Sequence, residues 1–230
     1  MKIRAATRGS PLALWQTNKV ISLLSADFPE LETEIVIVET TGDKDRETSL
    51  SELGGQGAFV KEVQLAVLEG KADFAIHSAK DLPAMSPDGL QLIAFPERAD
   101  SRDVLVGKHW EELPHEARIA TGSIRRKAHL LHQRPDLCFE DLRGNIETRL
   151  KKAEHYDAIV MAKAALDRLG LTPEVADVLD PSILLPQVGQ GALAIETRAQ
   201  DENLKALFSE IDHVDTHRAV LAERAFLHEL

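Results

Sequence analysis

The chain repeats one arrangement of elements, and this repetition constrains its fold more than any other feature. In the second half, apolar runs at 118–121, 137–142 and 156–162 each lead through a polar turn into a helical pattern. The first half opens in the same way, with a strand at 2–6 and a helix that Ser10 caps and Pro11 begins. Such alternation is typical of α/β proteins in which helices cover both faces of a parallel sheet.

Two loop segments, 96–100 and the glycine-rich 185–191, predict crossovers between lobes. We therefore expect two lobes with mixed, mainly parallel sheets and a double hinge. The first lobe is predicted at 1–95 plus 191–212 and the second at 98–187. The remaining pattern predicts strands at 33–40, 72–77, 90–95 and 192–195 and helices at 59–68, 203–211 and 216–230.

Composition restricts the partners. The formal net charge of -11 argues against nucleic acid or an anionic membrane as the main partner. Cys138 is the single cysteine, so an internal disulfide cannot form and a reducing compartment fits. The sequence has no apolar run long enough to cross a bilayer and no signal-peptide core, so we expect a cytoplasmic protein.

The stretch from Ala72 to Pro83 has the pattern of a strand that ends in a binding site. Its apolar first half predicts a buried strand, and its second half presents Ser78, Lys80 and Asp81. In open α/β sheets, ligands bind at the carboxyl ends of the strands. A solvated surface turn has the same pattern, and this stretch alone does not separate the two interpretations.

Basic side chains recur where strands give way to helices. Arg125, Arg126 and Lys127 stand in the first turn of a predicted helix, where the helix dipole opposes cations. Further arginines near such junctions are Arg8, Arg143, Arg149 and Arg168. Each could pair with a nearby carboxylate, but six arginines at one edge favour a cleft for a polycarboxylate or polyphosphate.

Three weaker features stay open. Gly54–Gly57 is typical of a flexible cover loop or of a simple helix entry, and it lacks the residues of a P-loop. The histidines at 129 and 132, and at 213 and 217, have helical spacing without a third ligand, so we expect no metal. Cys138 is interpreted as a small packing residue on a strand.

Seven segments resemble the porphobilinogen deaminase family, whose members are also called hydroxymethylbilane synthases. The segments occur in the family's order and extend over nearly the whole chain. They are Ala6–Gln16, Gly54–Gly57, His77–Pro83, Ser123–Arg126, Asp141–Asn145, Val188–Ala192 and Ala222–Ala225.

The resemblance implies a transferase of tetrapyrrole (haem) biosynthesis that condenses four porphobilinogen molecules stepwise into linear hydroxymethylbilane and releases ammonia. The family does this on a covalently attached dipyrromethane cofactor, without a metal. The resemblance also implies two lobes like those of type II periplasmic binding proteins, and we expect a monomer. Each pyrrole carries an acetate and a propionate, which suits an arginine-lined cleft. Loss of ammonia leaves a cationic electrophile that a fixed carboxylate can stabilise.

The resemblance assigns roles residue by residue. Asp81 and Lys80 match catalytic positions. The residues that match the cofactor site are Arg125, Arg126, Ser78, Lys80, Asp81, Thr121, Ser123, Arg143, Gly144 and Asn145. The residues that match the substrate site are Arg8, Ser10, Arg149 and Arg168.

The chain departs from the family pattern at three places. Gly122 stands where the family usually has serine, and Gln56 where it usually has lysine. In the family, a Gly-Gly-Cys loop follows the last helix, and its cysteine anchors the dipyrromethane. This chain stops before that loop, and Cys138 lies in another motif. We therefore expect 215–230 to begin a third domain that is otherwise absent, and the chain alone to be inactive.

A different class of function fits the same fold, namely a two-lobed binding module for an anionic small molecule. The Asp81 motif separates the two hypotheses, because a passive carboxylate-binding cleft has no use for a carboxylate at its centre. The lack of a signal peptide also disfavours an exported solute-binding protein.

Overall fold

The computed structural model describes residues 1–44, 59–171 and 176–229. The chain divides into two units, Met1–Ala99 with Ala192–Leu230, and Asp100–Gly191. It therefore passes from one unit to the other twice, at 99–100 and at 191–192. These passages lie slightly beyond the lobe limits expected from the sequence, and those limits stay a prediction.

The first unit is built on a five-stranded sheet. Its strands are β1 (Lys2–Thr7), β2 (Glu32–Ile37), β3 (Phe74–Ser78), β4 (Leu90–Ala94) and β10 (Leu193–Arg198), in the order β2-β1-β3-β10-β4. β1 pairs in parallel with β2 and β3, whereas β10 runs antiparallel between β3 and β4. Its helices are α1 (Pro11–Asp27), α2 (Thr41–Lys44), α3 (Lys61–Leu68), α7 (Glu202–Phe208) and α8 (Val214–Glu229).

Side-chain alternation along β3 explains how this sheet is covered on both faces. Phe74 and Ile76 belong to an apolar cluster with residues of α1 and α7, and the Phe74 and Phe208 rings lie 4.8 Å apart. Ala75 belongs to a second cluster, with Val63 and other residues of α3. The apolar pattern of the strand therefore places helices on opposite faces, as expected for an α/β protein.

The second unit contains another five-stranded sheet. Its strands are β5 (Asp103–Gly107), β6 (Arg118–Ala120), β7 (Cys138–Glu140), β8 (Ala158–Ala162) and β9 (Ala176–Val178), in the order β7-β6-β8-β5-β9. β6 is parallel to β7 and β8, and β5 is antiparallel to β8 and β9. Its helices are α4 (Ile124–Gln133), α5 (Ile146–Lys152) and α6 (Lys163–Arg168).

The mixed α/β architecture is confirmed, but its balance differs from the expectation of mainly parallel sheets. Among the described residues, each sheet has two parallel and two antiparallel strand pairs. The antiparallel strands β10 and β5 follow the two passages between units. No strand was predicted at 103–107 from the sequence, and the predicted crossover ends at residue 100.

Helix α8 packs within the first unit. Val220 is buried in an apolar cluster with Ala79, Leu82 and Phe95. Arg98 Nη2 donates to Glu223 Oε2 at 3.1 Å. The assignment of 215–230 to a further domain stays a prediction. Within the described ranges, none of the helices has the length and apolar character needed to cross a membrane.

A backbone constraint in the second unit gives a test of the fold. A Cβ on Gly107, at φ 124°, would lie 2.5 Å from the Asp157 carbonyl oxygen, whereas Gly170, at φ 64°, faces open space. Gly170→Ala should therefore cost only the left-handed backbone penalty of about 1–2 kcal/mol, and Gly107→Ala clearly more. Urea unfolding followed by circular dichroism measures both free energies, and equal losses would contradict the described β5–β8 packing.

Candidate active site

The turn after β3 presents polar side chains from an apolar anchor. β3 ends at Ser78, and a single 3-10 turn spans Ala79–Asp81. Ala79 and Leu82 are each only 2% exposed, while the Lys80 and Asp81 side chains are half-buried. The Ala79 N–H donates to the Ala192 carbonyl at 3.0 Å. Burial of the alternate apolar residues thus fixes the backbone that carries the polar ones.

A cavity of about 30 Å³, the size of roughly one water molecule, lies against this turn and includes Arg8, Gln16, Ser78 and Asp81 in its lining. Gln16 Nε2 donates to Ser78 Oγ at 2.9 Å. The Arg8 guanidinium carbon lies 4.1 Å from the centre of the Phe59 ring, within cation–π distance. The structure therefore brings together Arg8, Ser78 and Asp81, three of the residues predicted for the site.

The Asp81 carboxylate is uncommitted. In the part of the chain that the structure describes, no side chain or backbone group bonds to it. The predicted residue Ser10 has a local role, because its Oγ accepts from the Ala13 N–H at 3.2 Å and caps α1. Asp81 is thus the group at this pocket that is available to a ligand.

In the second unit, a buried carboxylate holds the two arginines at the start of α4. Asp103 is fully buried, and its Oδ1 accepts from Arg126 Nη2 at 2.6 Å and from Gln190 Nε2 at 2.9 Å. Its Oδ2 accepts from Arg125 Nη2 at 2.7 Å. Burial would raise the pKa of Asp103, but the two guanidinium groups bring it below its usual range.

The two arginines differ in what they leave available. Arg126 is nearly buried and also donates to the Val160 carbonyl at 3.0 Å, so its donors serve the fold. Arg125 donates to the Leu185 carbonyl, but its Nε is buried without a partner among the described residues. Two guanidinium groups share one carboxylate, which leaves one excess positive charge. Pairing with a carboxylate, the alternative left open by the sequence, therefore holds for both arginines without neutralising them.

The loop between β6 and α4 is shaped by two predicted site residues. Ser123 caps α4 by accepting from the Arg126 N–H at 3.4 Å, and Thr121 Oγ1 accepts from the Ser123 N–H at 3.2 Å. At the neighbouring Gly122, a Cβ would lie 3.0 Å from the Leu142 carbonyl oxygen. A serine at this position would therefore need a small backbone shift.

The loop between β7 and α5 is held by its own side chains. Asn145 Oδ1 accepts from the Thr148 N–H at 2.8 Å and caps α5. Arg149 Nε donates to the Gly144 carbonyl at 2.8 Å, and the Arg143 carbonyl accepts from Lys152. The predicted residues Arg143, Gly144, Asn145 and Arg149 are thus brought together, with Arg143 at the strand-to-helix junction.

Arg168 corrects one expectation. It is the last residue of α6 and does not lie at a strand-to-helix junction; Lys163 begins that helix. Arg168 Nη2 donates to the Gly191 carbonyl at 2.6 Å, and burial lowers its pKa to about 10. Through this bond, the C-terminal end of α6 contacts Gly191, two residues before β10.

Cys138 also differs from its interpretation. The thiol is exposed and does not serve as a packing residue. Phe139 packs against the apolar cluster of the unit, so the alternating Cys138 and Glu140 face outward. Gly54–Gly57 and Gln56 lie outside the described residues. Across the described ranges, no three His, Cys, Asp or Glu side chains form a group that could hold a metal ion.

Three residues that hold predicted site residues in place were not predicted from the sequence. Asp103 begins β5, a strand that was not predicted from the sequence. Gln16 and Gln190 are uncharged residues in segments that were interpreted from their charged or glycine residues. A usable signal is the arginine pair itself, because two cations in the first turn of a helix favour a nearby negative group.

Removing the Asp103 charge tests this arrangement. Asp103→Asn leaves two largely buried guanidinium groups without a counter-charge, so we expect a loss of about 3–5 kcal/mol in unfolding free energy. Because the pKa of Asp103 is lowered in the folded state, its contribution is fully present above the unfolded pKa near 4. It is lost as the pH falls from there through the lower folded-state pKa. The variant's stability should therefore depend less on pH in acid than the parent's.

The matched control is Glu140→Gln, which removes the carboxylate of the exposed pair with Arg118. Solvent screens that pair, so stability should change little. Urea titrations at pH 7 and pH 3.5 compare the three proteins. Equal losses in both variants would show that Asp103 has no special role.

Comparisons with known proteins identify the family of this chain and agree with its fold. A model of the family described as "Porphobilinogen deaminase, dipyromethane cofactor binding domain" matches residues 3–206. The "Porphobilinogen deaminase" of Brevibacillus brevis is 47% identical over 234 residues, covering 100% of this chain and 76% of the relative. That of Syntrophus aciditrophicus is 44% identical over 233 residues, covering 99% and 76%.

Two solved structures share the fold at low identity. The effector binding domain of BenM with benzoate has a TM-score of 0.52 at 13% identity, covering 95% of this chain and 94% of that one. Immunogenic lipoprotein A from Vibrio vulnificus has a TM-score of 0.53 at 12% identity, covering 96% and 99%. These likenesses confirm a two-lobed architecture like that of periplasmic binding proteins. With its fold, its motifs and close relatives over its whole length, the chain belongs to the porphobilinogen deaminase family.

Proposed function

We propose that this chain acts in the stepwise condensation of four porphobilinogen molecules into linear hydroxymethylbilane, with release of ammonia. Family membership supports the reaction. The observation that carries the proposal at the site is the uncommitted Asp81 carboxylate, held on an anchored turn in a pocket with Arg8. Porphobilinogen is therefore the proposed substrate.

The donor groups of the second unit fit dipyrromethane, the cofactor for which the matching family domain is described. The buried, unpartnered Arg125 Nε and the excess positive charge beside Asp103 suit a carboxylate-rich ligand. When bound, this group supplies the pyrrole to which the first substrate is joined. We propose that its carboxylates are held by Arg125 and Arg143, with polar contacts from Thr121, Ser123 and Asn145. Arg126 contributes through Asp103.

In the first unit, we propose that Asp81 stabilises the positive charge that develops on the substrate as ammonia leaves. A carboxylate that is held in place before the reaction does this effectively. Arg8 is proposed to bind a substrate carboxylate. Lys80 is proposed to act in catalysis with Asp81 and to bind the cofactor, and Ser78, held by Gln16, to bind the cofactor. Ser10, Arg149 and Arg168 stay proposed substrate residues, of which Arg168 also contacts the Gly191 carbonyl.

The setting of the activity is also proposed. The single cysteine fits the reducing cytoplasm. The net charge of -11 makes a nucleic acid or an anionic membrane surface an unfavourable partner. That the protein acts as a monomer stays a prediction.

The role of Asp81 is tested by Asp81→Asn, which keeps the shape and removes the charge. The assay uses the cofactor-loaded enzyme, meaning this chain extended by the family's Gly-Gly-Cys loop and third domain. We expect its kcat to fall by about 100-fold or more, the scale of one preorganised electrostatic group. Asp88→Asn, an exposed change in the same unit, is the control. Hydroxymethylbilane formation near the parent rate in Asp81→Asn would refute the catalytic assignment of Asp81. No hydroxymethylbilane formation by the parent itself would instead favour the binding-module hypothesis.

The anion site of the second unit is tested with Arg125→Gln, which leaves the Arg126–Asp103 pair intact. Sulfate or a porphyrin polycarboxylate should raise the melting temperature of the parent by mass action, and the variant should lose most of that shift. Arg118→Gln, at an exposed arginine of the same unit, should retain it. An undiminished shift in Arg125→Gln would place the anion elsewhere.

A further inference from the structure

A second buried carboxylate lies behind the turn that carries Asp81. Glu196, on β10, is fully buried, and Gln64 Nε2 of α3 donates to its Oε2 at 3.0 Å and to its Oε1 at 3.1 Å. His77 Nε2 lies 3.1 Å from its Oε2, and the Ser86 side chain hydrogen-bonds to it. One carboxylate thus joins α3, β3 and the segment that follows the turn.

Helix α8 adds a cation to this cluster. Arg224 is largely buried, its Nη2 donates to the Ala84 carbonyl at 2.9 Å, and its charge interacts favourably with Glu196. His77 lies on β3, two residues before the Ala79–Asp81 turn, and Ala84 and Ser86 follow the turn. The chain is therefore held to polar groups of β10 and α8 on both sides of Asp81.

The stability of the fold does not by itself explain why the Glu196 carboxylate is buried behind this turn. Burial would raise the pKa of Glu196, but the hydrogen bonds from His77, Gln64 and Ser86 bring it below its usual range. Burying such a cluster has a desolvation cost that well-packed apolar residues would avoid. Apolar packing around the turn is already supplied by Leu82 and its neighbours. What the ionic cluster adds is directional bonds that fix the two ends of the turn.

We propose that Glu196 is a positioning residue for Asp81. Through His77 and Ser86 it fixes the turn on both sides, and Arg224 extends the same restraint to α8. Asp81 itself has no bond to this cluster, so its direction toward a substrate depends on the backbone that the cluster holds. This inference rests on the proposed role of Asp81.

The test is a double-mutant cycle between Glu196→Gln and Asp81→Asn in the cofactor-loaded enzyme. Misplacement of a catalytic group by about 1 Å costs up to about 100-fold, so Glu196→Gln should lower kcat on that scale and change KM for porphobilinogen less. In the Asp81→Asn background the same change should cost almost nothing, because its effect passes through Asp81. An equal factor in both backgrounds would overturn the proposal, since a folding defect lowers activity regardless of Asp81.

The matched control is Thr197→Val, at the next residue of β10. Thr197 is also buried, and its Oγ1 donates to the Asp73 carbonyl at 2.9 Å, so this change removes a buried hydrogen bond without touching the cluster. Its kcat should stay near the parent value at similar destabilisation. A comparable loss of kcat in Thr197→Val would also refute a specific role for Glu196.

Amide hydrogen exchange of the 230-residue chain separates this proposal from the proposed function. Glu196→Gln should raise exchange in 78–84, whereas Thr197→Val should not. If Asp81→Asn leaves turnover unchanged, the catalytic role of Asp81 fails, and the exchange data still decide whether Glu196 fixes the turn. Unchanged exchange in 78–84, or a uniform rise throughout the unit, would overturn the positioning role. Should Glu196→Gln not fold, Gln64→Met removes one donor and provides the same comparisons.

Discussion

Each unit depends on a carboxylate buried at its sheet and surrounded by donors. Asp103 binds two guanidinium groups and an amide in the second unit, and Glu196 collects donors from a histidine, an amide and a hydroxyl in the first. Because removing either charge would leave buried donors unpaired, such groups tolerate little rearrangement. The polar residues that contact each carboxylate are therefore held in fixed positions.

Asp81 differs from these two buried carboxylates, and the difference indicates a role in binding. Its carboxylate lies at a pocket with no partner among the described residues, although the turn beneath it is anchored by buried alanine and leucine side chains. Similarly, Arg125 keeps an unpartnered buried Nε while its neighbour Arg126 is committed to the fold. In each unit, buried charges stabilise the fold, while one charged side chain, Asp81 or Arg125, keeps a group available to a ligand.

The sequence predicted local features better than the groups that connect them. The cap at Ser10, the helix that follows Ser123 and the strand that ends at Ser78 all follow from short-range patterns. Strand β5 was missed because three apolar residues between Asp103 and Gly107 are too few to distinguish a strand from a crossover. Pairings such as Arg126 with Asp103 join residues distant in sequence, and no periodicity encodes them. The exposure of Cys138 depends on which face of β7 packs against the core, which is likewise a long-range property.

The placement of β10 has a consequence for how the chain folds during synthesis. The strand lies between β3 and β4, yet the whole of the second unit separates it from them in sequence. The second unit is contiguous, so it can form its sheet before residues 193–198 leave the ribosome, while β3 and β4 still lack their shared partner. Glu196 arrives on that late strand, so the segment that bears Asp81 can be fixed only after most of the chain has been translated.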